Sequence, residues 1–342
     1  MVSCSICEAR TAARAVGVCP DCLRSLPEGG VSLGFHDISR RKLGLPERPP
    51  RNPAGAACRL CANECQPGPG EKGYCGLREN SGGRIRPVMP AGTALVHMYL
   101  DPLPTNCCAA WFCEGSKERG YNLAVFFYGC SFDCLFCQNH SHKRLDEAPV
   151  VAEEKIVAAA LHPEVRCVCF FGGSPEPQLP FALRLSQKIL QRSGGKKRIC
   201  WEWNGSGHPG LVKKAAELSR ASGGTVKFDL KAFHPNTALA LCGVENRRTY
   251  ENFSLLAGLY PGKDLLTATT LLVPGYVDRQ EVGEIARLIA GLDPDIPYSL
   301  LVFHPDYLLT DLPVTPRSQA DACYAEASRH LTRVNMGNLH LL

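Results

Sequence analysis

Three cysteines that follow a short apolar run have the residue type and the spacing expected of a metal-binding loop. Cys130, Cys134 and Cys137 form a C-x3-C-x2-C pattern directly after residues 123–128. Three thiolates are one fewer than a closed four-cysteine iron–sulfur cluster requires, so a cluster held here keeps one iron without a protein ligand. An open metal position of this kind is typical of catalytic sites. A zinc knuckle or three buried thiols is the structural alternative.

The spacing resembles the cluster motif of the radical S-adenosylmethionine (SAM) superfamily. The resemblance implies that Cys130, Cys134 and Cys137 hold a [4Fe-4S] cluster and that the amino and carboxylate groups of SAM chelate its unique iron. It also implies that one electron from the cluster cleaves SAM to methionine and a 5′-deoxyadenosyl radical, which abstracts a hydrogen atom from a substrate. Phe136 stands before the third cysteine, where the superfamily has an aromatic residue near the adenine.

The segments after the cysteine loop alternate between strand-like and helix-like patterns, which predicts a parallel sheet with helical crossovers. The predicted strands are residues 123–128, 167–171, 198–203, 225–230, 265–273 and 298–303. The predicted helices are residues 152–161, 179–192, 209–222, 248–259 and 278–290. Six such units predict an α/β fold, a partial TIM-like (β/α)6 barrel preceded by a small cysteine-rich metal-binding region. Its functional residues should lie at the carboxyl ends of the strands.

Glycines follow the second predicted strand, where they let the backbone approach a ligand closely. Gly172 and Gly173 resemble the Gly-Gly-Glu motif of the superfamily, whose backbone and acidic side chain receive the SAM amino group. Ser174 stands at the acidic position, and Glu176, two residues further on, is the alternative acid. A plain tight turn is the structural alternative.

The third predicted strand ends in Glu202, Trp203 and Asn204. This segment resembles the acid-Thr-Asn-Gly sequence of activating enzymes, which helps to bind SAM and a nearby monovalent cation. Because Trp203 replaces the threonine, the resemblance favours a SAM contact by Asn204 over an intact cation site.

The fourth predicted strand ends in Asp229 and Lys231, which match the Asp-x-Lys motif of the same family. Charges that face inward are costly to bury unless they pair or meet a charged ligand, and SAM carries both signs. Cys242, where the family has threonine, is a hydrogen-atom donor or a buried structural thiol. His304 follows the sixth strand, at the position of a SAM-proximal histidine, and a structural histidine is the alternative.

Two further groups of four cysteines precede the loop: Cys4, Cys7, Cys19 and Cys22, and then Cys58, Cys61, Cys65 and Cys75. The first group forms paired C-x2-C knuckles, which predict a structural zinc ribbon in preference to an iron–sulfur site or free thiols. For the second group, zinc and an auxiliary iron–sulfur cluster both fit, because both accept four thiolates. The second group resembles the N-terminal segment of a subgroup related to pyruvate formate-lyase-activating enzymes.

A third group, Cys107, Cys108 and Cys113, comes just before the first predicted strand. These thiols either ligate an auxiliary cluster or take part in substrate chemistry, or they are packed small hydrophobes.

These patterns divide the chain into a zinc-ribbon-like module at 1–25, a linker or wrap at 26–57, a cysteine-rich segment at 58–118 and the barrel at 119–342. Nineteen cysteines without a secretion signal indicate metal binding or redox chemistry in a reducing, anaerobic setting. No apolar run is long enough to span a bilayer, so a cytoplasmic protein with no membrane partner is expected. The net charge of +5 comes without a dense basic block, which makes a nucleic-acid partner an unfavoured reading.

The resemblance therefore implies a radical SAM enzyme, an oxidoreductase similar to pyruvate formate-lyase-activating enzymes, supplied with electrons by a reductant such as ferredoxin or flavodoxin. Its substrate is either a glycyl radical protein or a small molecule, peptide or RNA. A non-enzymatic iron–sulfur electron carrier or zinc-ribbon adaptor is the remaining reading, and it leaves the strand-end motifs without a role.

Overall fold

A mostly parallel sheet forms the centre of the computed structural model, which describes residues 1–27, 29–105, 107–262 and 264–342. The strands are β1 Val2–Ser3, β2 Thr11–Ala12, β3 Arg78–Ser81, β4 Arg84–Pro87, β5 Thr93–Pro102, β6 Tyr121–Phe127, β7 Val150–Ala152, β8 Val165–Gly172, β9 Arg198–Trp203, β10 Val226–Asp229, β11 Leu266–Leu272, β12 Tyr298–Val302 and β13 Val334–Gly337. The α-helices are α1 Pro20–Arg24, α2 Gly34–Lys42, α3 Glu153–Ala160, α4 Leu179–Ser193, α5 Pro209–Ser222, α6 Pro235–Cys242, α7 Arg247–Leu259, α8 Arg279–Leu292 and α9 Arg317–Ala327.

The strand order in the large sheet is β13-β12-β11-β10-β9-β8-β6-β5-β7. All neighbours from β6 to β13 pair in parallel, whereas β5 pairs antiparallel with both β6 and β7. The predicted α/β fold is confirmed, because all six predicted strands belong to the parallel part of the sheet. That part has a further strand, β13, after α9.

The sheet curves around an internal cavity. Tyr99 of β5 and Asn335 of β13 stand near opposite ends of the strand order, yet both line one cavity of about 400 Å³, here called the lower cavity. A sheet whose distant strands face a shared interior is a partial barrel.

The alternation of side chains along the strands separates the core from this interior. Trp201 and Trp203 are fully buried and stack at 5.5 Å between ring centroids, and the Trp201 indole donates to the Ala215 carbonyl of α5 at 3.0 Å. The residues between and beside them, Cys200 and Glu202, line the lower cavity instead. Aromatic packing against the helices therefore directs the reactive side chains of β9 inward.

The N-terminal region is better ordered than a linker would be. Residues 26–57, predicted to be a linker or wrap, contain α2, and its side chains of His36, Ser39 and Arg40 are buried. The local sequence is polar, so the helix depends on contacts with the rest of the chain and not on an apolar face of its own. Three strands of the large sheet were also missed: β5 and β7 at one edge and β13 at the other. Only β5 has a fully buried apolar run, and it ends in exposed residues.

Among the described residues, no helix combines the length and the apolar character required to cross a membrane.

Candidate functional site

The residues 128–140 that follow β6, here called the cysteine loop, bring three thiols to the carboxyl edge of the parallel strands. Cys130, Cys134 and Cys137 are half-buried and line a cavity of about 150 Å³, here called the upper cavity. The upper and lower cavities share Glu202 and Leu301 in their walls. The two cavities are therefore neighbours along the barrel interior.

The spacing of the loop thiols fits a multinuclear cluster better than a single ion. Among the described residues, the sole group of three or more ligand atoms within 4.8 Å of one another is that of the N-terminal ribbon. The three loop sulfurs are spread more widely, although each lines the same cavity. An iron–sulfur cluster takes each thiolate on a different iron, so a wider spread suits it. The residues present thus fit the [4Fe-4S] cluster that the spacing implied.

A buried carboxylate anchors the cysteine loop from behind. Asp133 is fully buried and accepts hydrogen bonds from His36 Nδ1 at 2.9 Å and from Lys143 Nζ, while the Arg40 guanidinium lies 3.5 Å away. Burial alone would raise the pKa of Asp133, but the His36 hydrogen bond and the charges of Lys143 and Arg40 lower it to about 2. The carboxylate is therefore ionised, and it ties α2 and residue 143 to the loop.

Backbone bonds fix the same loop to the following elements. Asp133 N donates to the Cys242 carbonyl at 2.8 Å, and Leu135 N donates to the Leu241 carbonyl at 2.8 Å. Cys242 is fully buried, and its side chain lowers the pKa of the Cys134 thiol. The position of Cys242 beside a loop cysteine is compatible with both roles predicted for it.

The glycine turn after β8 packs directly onto the loop. Gly172 has φ +111°, and a Cβ on Gly173 would meet the Gly129 carbonyl oxygen at 2.2 Å and the His142 ring at 2.8 Å. Gly173 O accepts a hydrogen bond from Cys130 Sγ at 3.4 Å. Glycine is required here because two backbones approach more closely than any side chain permits.

The acidic residue predicted near this turn lies behind the cavity wall. Ser174 and Glu176 are both fully buried, and the Ser174 hydroxyl donates to the Glu176 carboxylate. Burial raises the pKa of Glu176 to about 7. Neither side chain is among the described residues that line the upper cavity, whereas Gly172 and Gly173 are.

The third strand end contributes a buried amide and a half-exposed acid. Asn204 Nδ2 donates to Ser131 Oγ at 2.8 Å and approaches Cys130 Sγ at 3.6 Å. Glu202 pairs with Lys227 Nζ at 3.1 Å. Both Asn204 and Glu202 line the upper cavity.

The fourth strand end places a charge pair on the wall of the same cavity. Lys231 Nζ donates to Asp229 Oδ2 at 2.6 Å, and both side chains line the upper cavity. Burial raises the pKa of Asp229; burial opposes the charge of Lys231, but the Asp229 carboxylate raises the pKa of that ammonium. Phe136 also lines the cavity, with its ring centroid 5.8 Å from Lys231 Nζ.

Besides Ser174, one further predicted residue lies outside this wall, and several wall residues were not predicted. His304 follows β12 but is not among the described residues of the cavity lining, and its ring contacts its neighbour Pro305. The unpredicted residues of the upper cavity include Gln138, Asn139, His142, Thr269 and Leu271. The buried His142 has its Nε2 3.6 Å from Cys137 Sγ. Its position five residues after that cysteine is the sequence feature from which a role in the site could have been predicted.

The N-terminal ribbon has the geometry of a single-ion site. The ligand atoms of Cys4, Cys7, Cys19 and Cys22 lie within 4.8 Å of one another, with Cys7 Sγ 3.9 Å from Cys19 Sγ. With metal–sulfur bonds of about 2.3 Å, tetrahedral coordination places sulfurs at roughly this separation. The ribbon is tied to the barrel by Tyr276, whose hydroxyl accepts from Ala13 N and donates to Val18 O, each at 2.9 Å.

The second cysteine group docks beside the cysteine loop. Burial raises the pKa of the Cys61 thiol, and the nearby thiols of Cys75, Cys65 and Cys58 raise it further. The four thiols are therefore neighbours. Asn63, between two of them, donates to the Ser131 carbonyl at 2.7 Å. Cys75 and Cys130 line one small cavity. This group therefore lies directly against the loop.

Comparison with known proteins agrees with this geometry. Residues 124–289 match the family model of the radical SAM superfamily, and the chain therefore carries a radical SAM domain. An uncharacterized protein of Methanocaldococcus jannaschii is 25% identical over 265 residues, which cover 76% of this chain and 74% of that protein. The isethionate sulfite-lyase activating enzyme of Desulfovibrio desulfuricans is 33% identical over 135 residues, which cover 39% of this chain and 40% of that enzyme. A solved domain of pyruvate-formate lyase-activating enzyme from Bacteroides vulgatus aligns at 18% identity and a TM-score of 0.42, over 50% of this chain and 98% of that domain.

Replacing Asp133 with asparagine should destabilise the cysteine loop. The Asp133→Asn variant leaves Lys143 and Arg40 buried without their counter-charge, so we expect the free energy of unfolding to fall by about 3 kcal/mol. Denaturant unfolding measures this change, and iron analysis after anaerobic purification should show less bound iron. The exposed Asp146 supplies the matched control Asp146→Asn, and equal stability of the two variants would refute the anchoring role.

A methyl group at Gly173 should also disturb the loop. The Gly173→Ala variant must displace the Gly129 carbonyl and His142, at a cost of about 1–3 kcal/mol. Gly258 in α7 has open space around its Cα, so Gly258→Ala should instead stabilise by roughly 0.5–1 kcal/mol. Thermal unfolding distinguishes the two, and a shift in the same direction for both would contradict the close packing.

Proposed function

We propose that this chain is a radical SAM enzyme that holds a [4Fe-4S] cluster on Cys130, Cys134 and Cys137 and binds SAM in the upper cavity. The observation that carries the proposal is the convergence of these three thiols with an Asp229–Lys231 charge pair on the wall of one cavity. When bound, the cluster and SAM supply the one-electron cleavage that starts hydrogen-atom abstraction. The family match supports an enzyme over an electron carrier or an adaptor.

The chain's own residues orient SAM and shield it from water. The backbone of Gly172 and Gly173 reaches the cavity without an intervening side chain, which suits a close contact with a polar group. Asp229 and Lys231 offer opposite charges to a ligand that carries both signs. Phe136 covers one side of the cavity with an aromatic ring, which suits an adenine. Since Ser174 and Glu176 lie behind the wall, Glu202 and Asn204 are the better partners for a SAM amino group.

The second cysteine group offers electrons a route to the loop cluster. Cys75 shares a small cavity with Cys130, so a cluster on Cys58, Cys61, Cys65 and Cys75 lies beside the loop. The wide spread of these thiols, which do not form a compact single-ion group, favours an iron–sulfur cluster over zinc here. A reductant such as ferredoxin or flavodoxin is the partner that this arrangement requires.

Two substrate classes are favoured by different observations. The 33% sequence identity with the isethionate sulfite-lyase activating enzyme supports the activation of a glycyl radical protein. The alignment spans 40% of that enzyme. The lower cavity of about 400 Å³ adjoins the upper one through Glu202, and an interior of this size supports a small molecule, or one residue of a peptide or RNA. Assays with a glycyl radical protein and with small-molecule extracts separate these classes.

Loss of one loop cysteine should abolish the chemistry. We expect Cys137→Ala to form no 5′-deoxyadenosine from SAM under anaerobic reduction, because the cluster loses a ligand. Chromatographic quantification of 5′-deoxyadenosine measures the effect, and iron analysis should show the loss of roughly four irons per chain. Cys323, a buried thiol on α9, provides the control Cys323→Ala. Formation of 5′-deoxyadenosine by Cys137→Ala at the control level would overturn the proposal.

We further propose that the ribbon thiols bind zinc in a structural role. The double variant Cys4→Ser, Cys22→Ser should lose about one zinc ion per chain and become sensitive to proteolysis within residues 1–25, while SAM cleavage persists. Elemental analysis and limited proteolysis measure both effects. Iron in place of zinc at this site, or a loss of SAM cleavage in the variant, would contradict a purely structural zinc ribbon.

A further inference from the structure

The lower cavity has an unusual chemical lining. In parallel barrels the inward side chains are mainly branched and apolar, and they fill the interior. Here β8 and β9 direct thiols inward, from Cys167, Cys169 and Cys200, and β10 adds the ammonium of Lys227. These side chains surround about 400 Å³ of space. Thiols that served only as small hydrophobes would pack against one another and leave no such void.

A segment outside the sheet adds three more thiols and closes the bottom of this cavity. Residues 107–118, here called the strap, carry Cys107, Cys108 and Cys113, and all three line the lower cavity. Trp111 Nε1 donates to Ser299 Oγ at 3.0 Å, and Ser299 Oγ donates to the Cys108 carbonyl at 2.9 Å. Ser299 lies at the start of β12, so the strap crosses the amino ends of the strands, opposite to the cysteine loop.

The strap thiols and the strand thiols meet at one buried cation. The Lys227 side chain is 1% exposed, and its Nζ lies 3.1 Å from Cys107 Sγ and 3.4 Å from Cys169 Sγ. The same Nζ lies 3.1 Å from Glu202 Oε2. A buried ammonium requires negative charge around it, and thiolates beside it are the form of cysteine that binds metal. The positive charge of Lys227 thus balances the negative charge of thiolates at the point where the strap and strand thiols meet.

We propose that the lower cavity, besides the space it offers a substrate, holds a further iron–sulfur cluster, ligated by Cys107 of the strap and by Cys169 and Cys200 of the strands. Cys108 and Cys113 are the candidates for the fourth ligand. Thiolate donors select soft metals and iron–sulfur clusters. Among the described residues these sulfurs form no compact single-ion group, so a cluster that takes one thiolate per iron fits better than zinc. None of Cys58, Cys61, Cys65 and Cys75 is among the described residues that line the lower cavity, which makes this a separate site.

The first experiment removes the loop cluster and asks what iron remains. In a Cys130→Ala, Cys134→Ala, Cys137→Ala background, anaerobically reconstituted with iron and sulfide, we compare three additions: Cys169→Ala with Cys200→Ala, Cys58→Ala with Cys61→Ala, and Cys323→Ala. The lower-cavity pair should lose roughly two to four irons per chain, together with a paramagnetic signal of the reduced protein. The other two additions should keep that signal. Iron content and signal that survive the Cys169 and Cys200 changes would overturn the proposal.

Circular dichroism shows whether each variant folds. If the variant with Cys169→Ala and Cys200→Ala does not fold, a second measurement tests the proposal. In the same background, Lys227→Met keeps every thiol but removes the adjacent cation, so reduction of the cluster should require a lower potential. A redox titration followed by electron paramagnetic resonance measures the shift, with Lys188→Met on the surface of α4 as control. An unchanged potential in Lys227→Met would place the signal elsewhere. Because SAM cleavage is not the readout, failure here is distinguishable from failure of the proposed function.

Discussion

The geometry of the upper cavity depends on the charge balance around Asp133. This carboxylate lies within the cysteine loop, with no exposure to solvent, and faces a histidine, an arginine and a lysine from two other segments. A buried ion that lost one of these partners would be costly, so the segments must assemble together. α2, which has little apolar character of its own, is held in place by the same interaction. The anchor thereby couples the N-terminal region to the loop that bears the thiols.

The second organising feature is the alternation of side chains along β8, β9 and β10. Outward positions carry the aromatic residues Phe170, Trp201 and Phe228, which are fully buried; Trp201 bonds to α5 and Phe228 packs on α7. Inward positions carry thiols and charges, because successive side chains of a strand point to opposite faces. One set of strands therefore supplies both a dense core and a polar interior with two adjoining cavities. Glu202 lies in the wall of both, and its pairing with Lys227 connects the charge balance of one cavity to that of the other.

The three cysteine groups occupy three different surroundings, and these indicate different roles. The ribbon thiols are compact and lie at the edge of the barrel, as a structural ion requires. The Cys58 to Cys75 group contacts the cysteine loop directly through Asn63, which suits electron delivery. The strap group faces the interior from the opposite end of the strands. Spacing in the sequence predicted a metal on the second group, but it left open whether the third group ligates a cluster, takes part in substrate chemistry or packs as small hydrophobes.

Much of the site could be predicted because the motifs stand at the ends of strongly patterned strands. The order of strand and helix, the cysteine loop and the glycine turn all follow from local periodicity and spacing. α2 and the edge strands could not be predicted, since their stability comes from distant partners. His304 was placed by analogy with a strand-end position, and it is not among the described residues that line the upper cavity.

The sequence by itself determined the identity of the loop, since the C-x3-C-x2-C spacing and the downstream strand ends are local properties of the chain. Only the tertiary structure decided which side chains share a cavity. The Ser174 hydroxyl donates to the Glu176 carboxylate behind the wall, while six cysteines from β8, β9 and the strap line one cavity, where two of them contact Lys227. The physical reason is that convergence depends on the curvature of the sheet and on long-range ion pairing. Neither of these is recorded in the spacing of neighbouring residues.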